Sequence, residues 1–217
     1  MRPYLLVALA LFAIPATAKA DIRATYADGS IIEINDDGAF RGNLVCDGQM
    51  MLHTEGYNYV ILDDGGTPRV IDPVVAASVA EALTPDLIRF ISGSVPPAQP
   101  FAVGEITVGE RKGVGYRIDD AADISFVISA DPELNLVGQV IAIQFGNCTQ
   151  MQGPLGAIVM PLNAIFAEGA AIRFGDVDLV SVEEVEIDDA TFALPGKPLD
   201  YEATQEVMLR LGIIKAE

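Results

Sequence analysis

Residues 22–66 read IRATYADGSIIEINDDGAFRGNLVCDGQMMLHTEGYNYVILDDGG. Ile22, Ala24 and Tyr26 alternate with polar neighbours, and Asp28-Gly29 then signals a turn. Ile32 and Ile34 alternate with Glu33 and Asn35 before Asp36-Asp37-Gly38. Phe40, Gly42, Leu44 and Cys46 fall on one face of the next run, which closes on Asp47-Gly48. Met50 and Leu52 share one face, with Met51 and His53 on the other, because strand side chains alternate with period two. Tyr57, Tyr59 and Ile61 lead into Asp63-Asp64-Gly65-Gly66. Short alternating runs with turn residues every 8–12 positions mark antiparallel β structure.

Downstream of this meander the rhythm changes. Asp72-Pro73 is a helix start: Asp caps the first turn, and Pro suits the first helical position, where no N–H is needed. Thr84-Pro85-Asp86 repeats the signal, so two short helices, or one bent at Pro85, are predicted up to Gly93. Val95 to Pro100 is an extended, proline-rich connector and the best candidate for a seam within a single domain of residues 21–217. Strands return around Ile106 and Val108, and Arg111-Lys112-Gly113 reads as a turn. Val114, Tyr116 and Ile118 make the next strand, then Ile124, Phe126 and Ile128. Asp131-Pro132 starts a third helix, with Leu134, Val137, Ile141 and Phe145 at helical spacing and Gly146 as its stop. A short helix over 162–167 precedes strands at Ile172 and at Val180. The phase slips at Glu183-Glu184, where a β-bulge is expected. Phe192 to Gly196 ends the sheet. A last helix from Asp200 has Ala203, Val207 and Leu211 on one stripe and Gly212 after it. The fold class is therefore α+β: one curved antiparallel sheet, an open half-barrel, with several short helices against one face.

The first twenty residues carry a different message. Arg2 precedes the apolar run Leu5 to Ile14, and Ala18-Lys19-Ala20 follows. This is the pattern of a secretory signal peptide, with cleavage expected after Ala20. The run is about half the roughly 20 residues that a spanning helix needs. Export to the periplasm is the expectation, with no integral membrane segment left after cleavage. The chain holds 13 Lys+Arg against 31 Asp+Glu, a net charge of −18. Such a surface repels nucleic acid and anionic lipid, and no basic stripe of a nucleic-acid binder is present. Cys46 and Cys148 are the two cysteines. In an oxidising compartment an even count reads as one disulfide, with two separate buried thiols as the alternative.

The order of elements resembles the periplasmic lipoprotein-carrier family and its uncharacterised relatives. The segments that carry the likeness are Tyr26-Ala27-Asp28-Gly29, Gly38-Ala39-Phe40-Arg41, Gly113-Val114-Gly115-Tyr116 and Ala190-Thr191-Phe192-Ala193-Leu194-Pro195. The resemblance implies a half-barrel whose helices plug one side, and a dry cavity for acyl chains or other apolar groups. Arg41 sits where such relatives often have an arginine, and no role is assigned to it.

Few residues suggest bond-making chemistry. A Ser-His-Asp or Cys-His set needs a histidine base, and His53 is the single histidine. It reads as a rim histidine, or more sharply as a pH-sensitive contact at a cavity mouth. One histidine is too few for a typical zinc enzyme. The acidic doublets read as solvated turns rather than calcium loops, because the EF-hand spacing is missing. No phosphate-binding glycine loop occurs, and no metal or cofactor is expected. Three functions follow, in this order. The first is an exported carrier or chaperone for a lipid or other apolar ligand. Its predicted liners, chosen by inward-face phase, are Phe40, Leu44, Leu52, Tyr59, Val79, Leu83, Ile88 and Phe126. The second is an envelope module that docks a protein partner and takes no small ligand. The third is an enzyme.

Overall fold

The aspartate–glycine turns set the register of the first half of the chain. Gly29 and Gly38 take positive φ, 88° and 86°, a conformation that costs residues with a Cβ. Each turn is closed by a side chain: Asp28 Oδ1 accepts from Ser30 N, and Asn35 Oδ1 from Ala39 N. The computed structural model describes residues 20–46, 49–84, 96–119, 123–151 and 156–214. The predicted signal peptide up to Lys19, and the helix expected around Ile88, lie outside them.

The elements run β1 (Asp21–Tyr26), β2 (Ile31–Ile34), β3 (Phe40–Gly42), β4 (Met50–Thr54), β5 (Tyr57–Asp64), β6 (Thr67–Ile71) and helix α1 (Pro73–Leu83). They continue with β7 (Pro100–Val108), β8 (Arg111–Ile118), β9 (Phe126–Ser129), α2 (Asn135–Met151), the short α3 (Gly156–Val159) and α4 (Asn163–Phe166), β10 (Ala170–Phe174), β11 (Val177–Val185) and α5 (Tyr201–Arg210). The strands form one eleven-stranded antiparallel sheet in the order β6-β5-β4-β3-β2-β1-β11-β10-β9-β8-β7. Helices pack against one face, and the sheet does not close into a barrel. This is the α+β class read from the sequence, although α2, at 17 residues, is not short.

Cross-strand partners share a face, so the register sorts the side chains. One row runs Ala24↔Ile32↔Gly42↔Met51↔Val60↔Ile71. This is the helix side. Met51, Val60 and Ile71 pack with Ala76 and Val79 of α1, Met151 of α2, and Val207 and Met208 of α5. Ala24, Ile32 and Phe40 pack with Val137, Ile141 and Phe145 of α2. The second half adds an aromatic cluster, with Phe166 in ring contact with Phe126, Phe145 and Phe174. Each such pair adds about 0.5–1.5 kcal/mol beyond area burial. A Cβ on Gly42 would collide with the Gln144 side chain of α2 and the Ile31 carbonyl, so the glycine lets α2 lie directly on the sheet.

The opposite face carries the row Glu183↔Arg23↔Glu33↔Arg41↔Leu52↔Tyr59. Glu33 is 1% exposed and gripped from both sides. Arg23 reaches Oε1 at 2.6 Å and Arg41 reaches Oε2 at 2.5 Å. A buried carboxylate is tolerable only when paired in this way. After β11 the chain straps across this face. Ile187 N–H donates to Asp21 Oδ2 at 2.8 Å. Ile187 and Phe192 pack on Leu52, with Ala39, Ile61 and Leu194 beside them. The strap reaches the sheet edge where Leu199 N–H donates to Val70 O at 2.9 Å. Asp200 then caps α5 by accepting from Ala203 N.

Several local expectations shift. The bulge lies at Val180, which is skipped between Thr25↔Ser181 and Tyr26↔Leu179, and not at Glu183-Glu184, where pairing with β1 is continuous. The phase slip recurs because the strand meets its partner in register only after that extra residue. The β7–β8 turn is Gly109-Glu110, and Arg111 and Lys112 are already paired with Val108 and Thr107. β3 stops at Gly42, because the chain turns there to bring Cys46 to Cys148, with Cα atoms 5.6 Å apart. α2 runs through Gly146 to Met151. A helical glycine costs about 1 kcal/mol, which burial of Cys148 and Met151 outweighs. The buried stripe of α5 is Thr204, Val207 and Met208 rather than Ala203, Val207 and Leu211.

The two halves of the sheet meet at a narrow seam. β10 and β11 pair only at Arg173↔Asp178 and Phe174↔Val177, and from Leu179 onward β11 pairs with β1 instead. Arg173 holds Asp178 through two bonds of 2.5 and 2.9 Å. Beyond that point Tyr26 spans the divergence: its buried hydroxyl donates to Ala171 O at 2.8 Å. Tyr26→Phe should therefore cost about 1–3 kcal/mol, the penalty for orphaning a buried acceptor, measured as a lower urea midpoint at unchanged slope. Replacing both cysteines by alanine should cost roughly 2–5 kcal/mol, as for loss of a native disulfide, read in the same way without reductant.

Candidate functional site

The described residues chosen by phase fall into three groups. Phe40, Leu44 and Phe126 are buried in the largest cluster. Val79 and Leu83 belong to the cluster under α1 and α5. Leu52 lies on the other face beneath the strap, and Tyr59 is its cross-strand partner there. Ile88 is outside the described residues. Leu52 and Tyr59 are thus separated from Phe40 by the sheet itself.

An apolar groove forms at a different place, the corner where α5 ends over β4–β6. Its lining is Met50, Ile61, Leu62 and Pro68 from the strands, and Leu211 and Ile213 from the C-terminal segment, with Gln49 and Asp63 at the rim. The volume is about 550 Å³. Met50 and Ile61 are cross-strand partners, as are Asp63 and Pro68, which puts all four on one face. The other wall is built by the way α5 stops. Gly212, at φ 69°, donates its N–H to Leu209 O, and Ile213 N–H donates to Met208 O. This is a Schellman cap, in which the residue after the glycine packs back on the helix. It turns Leu211 and Ile213, each 37% exposed, toward the strands. The Gly212 stop is readable in the sequence. That Leu211 and Ile213 then line one groove with Met50 and Ile61 is not, because the strap alone carries the chain around to that corner.

A charged latch holds α5 at this corner. Arg210 Nη2 lies 2.6 Å from Asp64 Oδ2, and Arg69 Nε lies 3.0 Å from the same oxygen. Hydrogen bonds from Arg210 and then Arg69 hold the Asp64 carboxyl below the usual carboxylate range.

His53 lies elsewhere, in a polar groove of about 530 Å³ with Asp37, Glu55, Asp189 and Phe192 around it. Its ring stacks on Phe40, with centroids 5.0 Å apart, and Nδ1 bonds Asn58 Oδ1 at 2.8 Å. Arg41 is occupied by Glu33. The two cysteines are joined, so neither is a thiol. Among the described residues no group of three or more His, Cys, Asp or Glu is placed to hold a metal ion, and no helix is long and apolar enough to cross a membrane. No protein-family model, no curated protein and no solved structure matches this chain.

The latch has a defined pH response. Because the folded pKa of Asp64 is depressed, its contribution is complete above the ordinary carboxylate value and is lost as pH falls through the lower folded value. Amide shifts of Gly212 and Ile213, followed by NMR from neutral to acid, should move in that window. In Asp64→Asn the movement should be absent.

Proposed function

We propose that this protein is an exported binding module that takes an apolar group, such as an acyl chain, in the groove at the C-terminal end of α5. The observation that carries this reading is the open groove of about 550 Å³ in which apolar residues of β4–β6 line one side and Leu211 and Ile213 of the Schellman cap the other. That volume falls within the range of small-molecule sites, roughly 300–1,000 Å³. Two of the lining residues, Leu211 and Ile213, are exposed, and exposed apolar patches commonly mark binding surfaces. The Cys46–Cys148 disulfide supports an oxidising compartment. It agrees with the signal-like first twenty residues and a periplasmic carrier role of the kind the family resemblance implies. The protein acts by binding rather than by bond-making: the single histidine is stacked and hydrogen-bonded.

A second reading, docking of an envelope protein, is favoured by one feature. β7 is the far edge of the sheet, and Phe101 to Glu105 are all exposed along it, with Phe101 at 49% and Val103 at 40%. An extended segment of another chain fits such an edge by pairing with its backbone.

Titration with an uncharged dye that brightens in apolar surroundings, such as N-phenyl-1-naphthylamine, separates the two. The wild type should give saturable fluorescence, and the Leu211→Asp, Ile213→Asp double variant should lose it while keeping its far-UV spectrum. A wild type that stays dark, or a variant that binds equally well, would overturn the groove reading.

A further inference from the structure

The groove has a chemical asymmetry at its mouth. Among the described residues its walls are largely apolar, and Asp63, an exposed side chain, is the one charged residue in its lining. Asp63 Oδ1 accepts the Gly66 N–H at 2.7 Å, which fixes the carboxylate in the β5–β6 turn. The arginines of this corner are already engaged. Arg69 holds Asp64, and Arg210 holds both Asp64 and Glu206. A head group emerging here therefore meets a carboxylate, and its neighbouring guanidinium groups are spoken for. The chain as a whole carries 31 acidic against 13 basic side chains, and the field of such a net charge attracts cations and repels anions. Among the described residues no aromatic ring lines the groove, so discrimination rests on charge rather than on cation–π contact.

Building on the groove reading above, we propose that the site selects single-chain amphiphiles by head group, preferring a cationic head to an uncharged one and an uncharged head to an anionic one, with Asp63 as the selecting residue. The apolar walls take the chain in every case, and the rim sets the order. An exposed charge pair changes affinity by roughly two- to fivefold, so the preference is modest and screened by salt over a Debye length of about 10 Å at 0.1 M.

The test uses the full mature chain and three amphiphiles of one chain length: an alkyltrimethylammonium, an alkyl maltoside and an alkyl sulfate, each below its critical micelle concentration. Affinities are read by displacement of the uncharged dye, at low salt and at about 0.15 M. The expected order is ammonium, maltoside, sulfate, compressing as salt rises. Asp63→Asn keeps the Oδ1 acceptor for Gly66 and so preserves the turn. It should weaken the ammonium roughly two- to fivefold and leave the maltoside unchanged. Equal affinities for all three, or tightest binding of the sulfate, would overturn the proposal while leaving the groove reading standing. An ammonium preference that survives Asp63→Asn undiminished would also overturn it, because the net charge and not Asp63 would then set the order. Failure of all three amphiphiles and of the dye would instead remove the groove reading itself.

Discussion

The pairing of the first strand with the last holds this molecule together. β1 runs beside β11 from Asp21↔Val185 to Tyr26↔Leu179, and among the described strands it is the one pairing of strands that are not consecutive in the chain. Without it the meander β1–β6 and the group β7–β10 would not belong to one sheet. The junction on the other side of β11 is slender, two residue pairs with β10. Tyr26 and the Arg173–Asp178 pair carry that seam. The bulge at Val180 and the divergence of β10 from β11 belong to the same geometry. One strand cannot follow two differently directed neighbours along its whole length, and the extra residue lets it change partner.

The two faces of the sheet are covered by different means. On one side α1, α2 and α5 bury apolar rows, and the disulfide ties the end of α2 to the turn after β3. On the other side a single extended strap provides the cover. Beside its path, the buried Glu33 is paired with two arginines. Breaking such a pair leaves a buried charge without a partner, which is far more costly than the pair is stabilising. The ladder therefore specifies register on a face where packing alone would leave the strands less defined.

The groove depends on both arrangements. Its strand wall belongs to the β4–β6 corner, and its helix wall arrives only because the strap carries the chain around the β6 edge to α5. The described residues among the predicted liners are divided between clusters for a related reason. Alternation assigns Leu52 and Tyr59 to one face and Phe40 to the other by way of His53, its cross-strand partner. It cannot say which face receives helices, which receives the strap, or where either leaves a gap. Phe126 alternates correctly and is buried, but among other phenylalanines rather than toward an opening.

What the sequence determined by itself was local. The Asp–Gly turns, the aspartate caps at Asp72, Asp131 and Asp200, the alternation of β1, β2, β4 and β5, and the stop at Gly212 all depend on residues within a few positions of one another. They follow from backbone preference and period alone. From them the α+β class was legible, and the even cysteine count pointed to the pairing that forms. The tertiary structure alone decided the rest. It set β1 beside β11, carried α2 past Gly146, moved the bulge to Val180, and placed Leu211 and Ile213 in one groove with residues of β4–β6. Each of these turns on contacts between residues far apart in the chain, Tyr26 with Ala171 and Cys46 with Cys148 among them. Their energies are comparable to the local preferences they override, and no short window of sequence contains both partners.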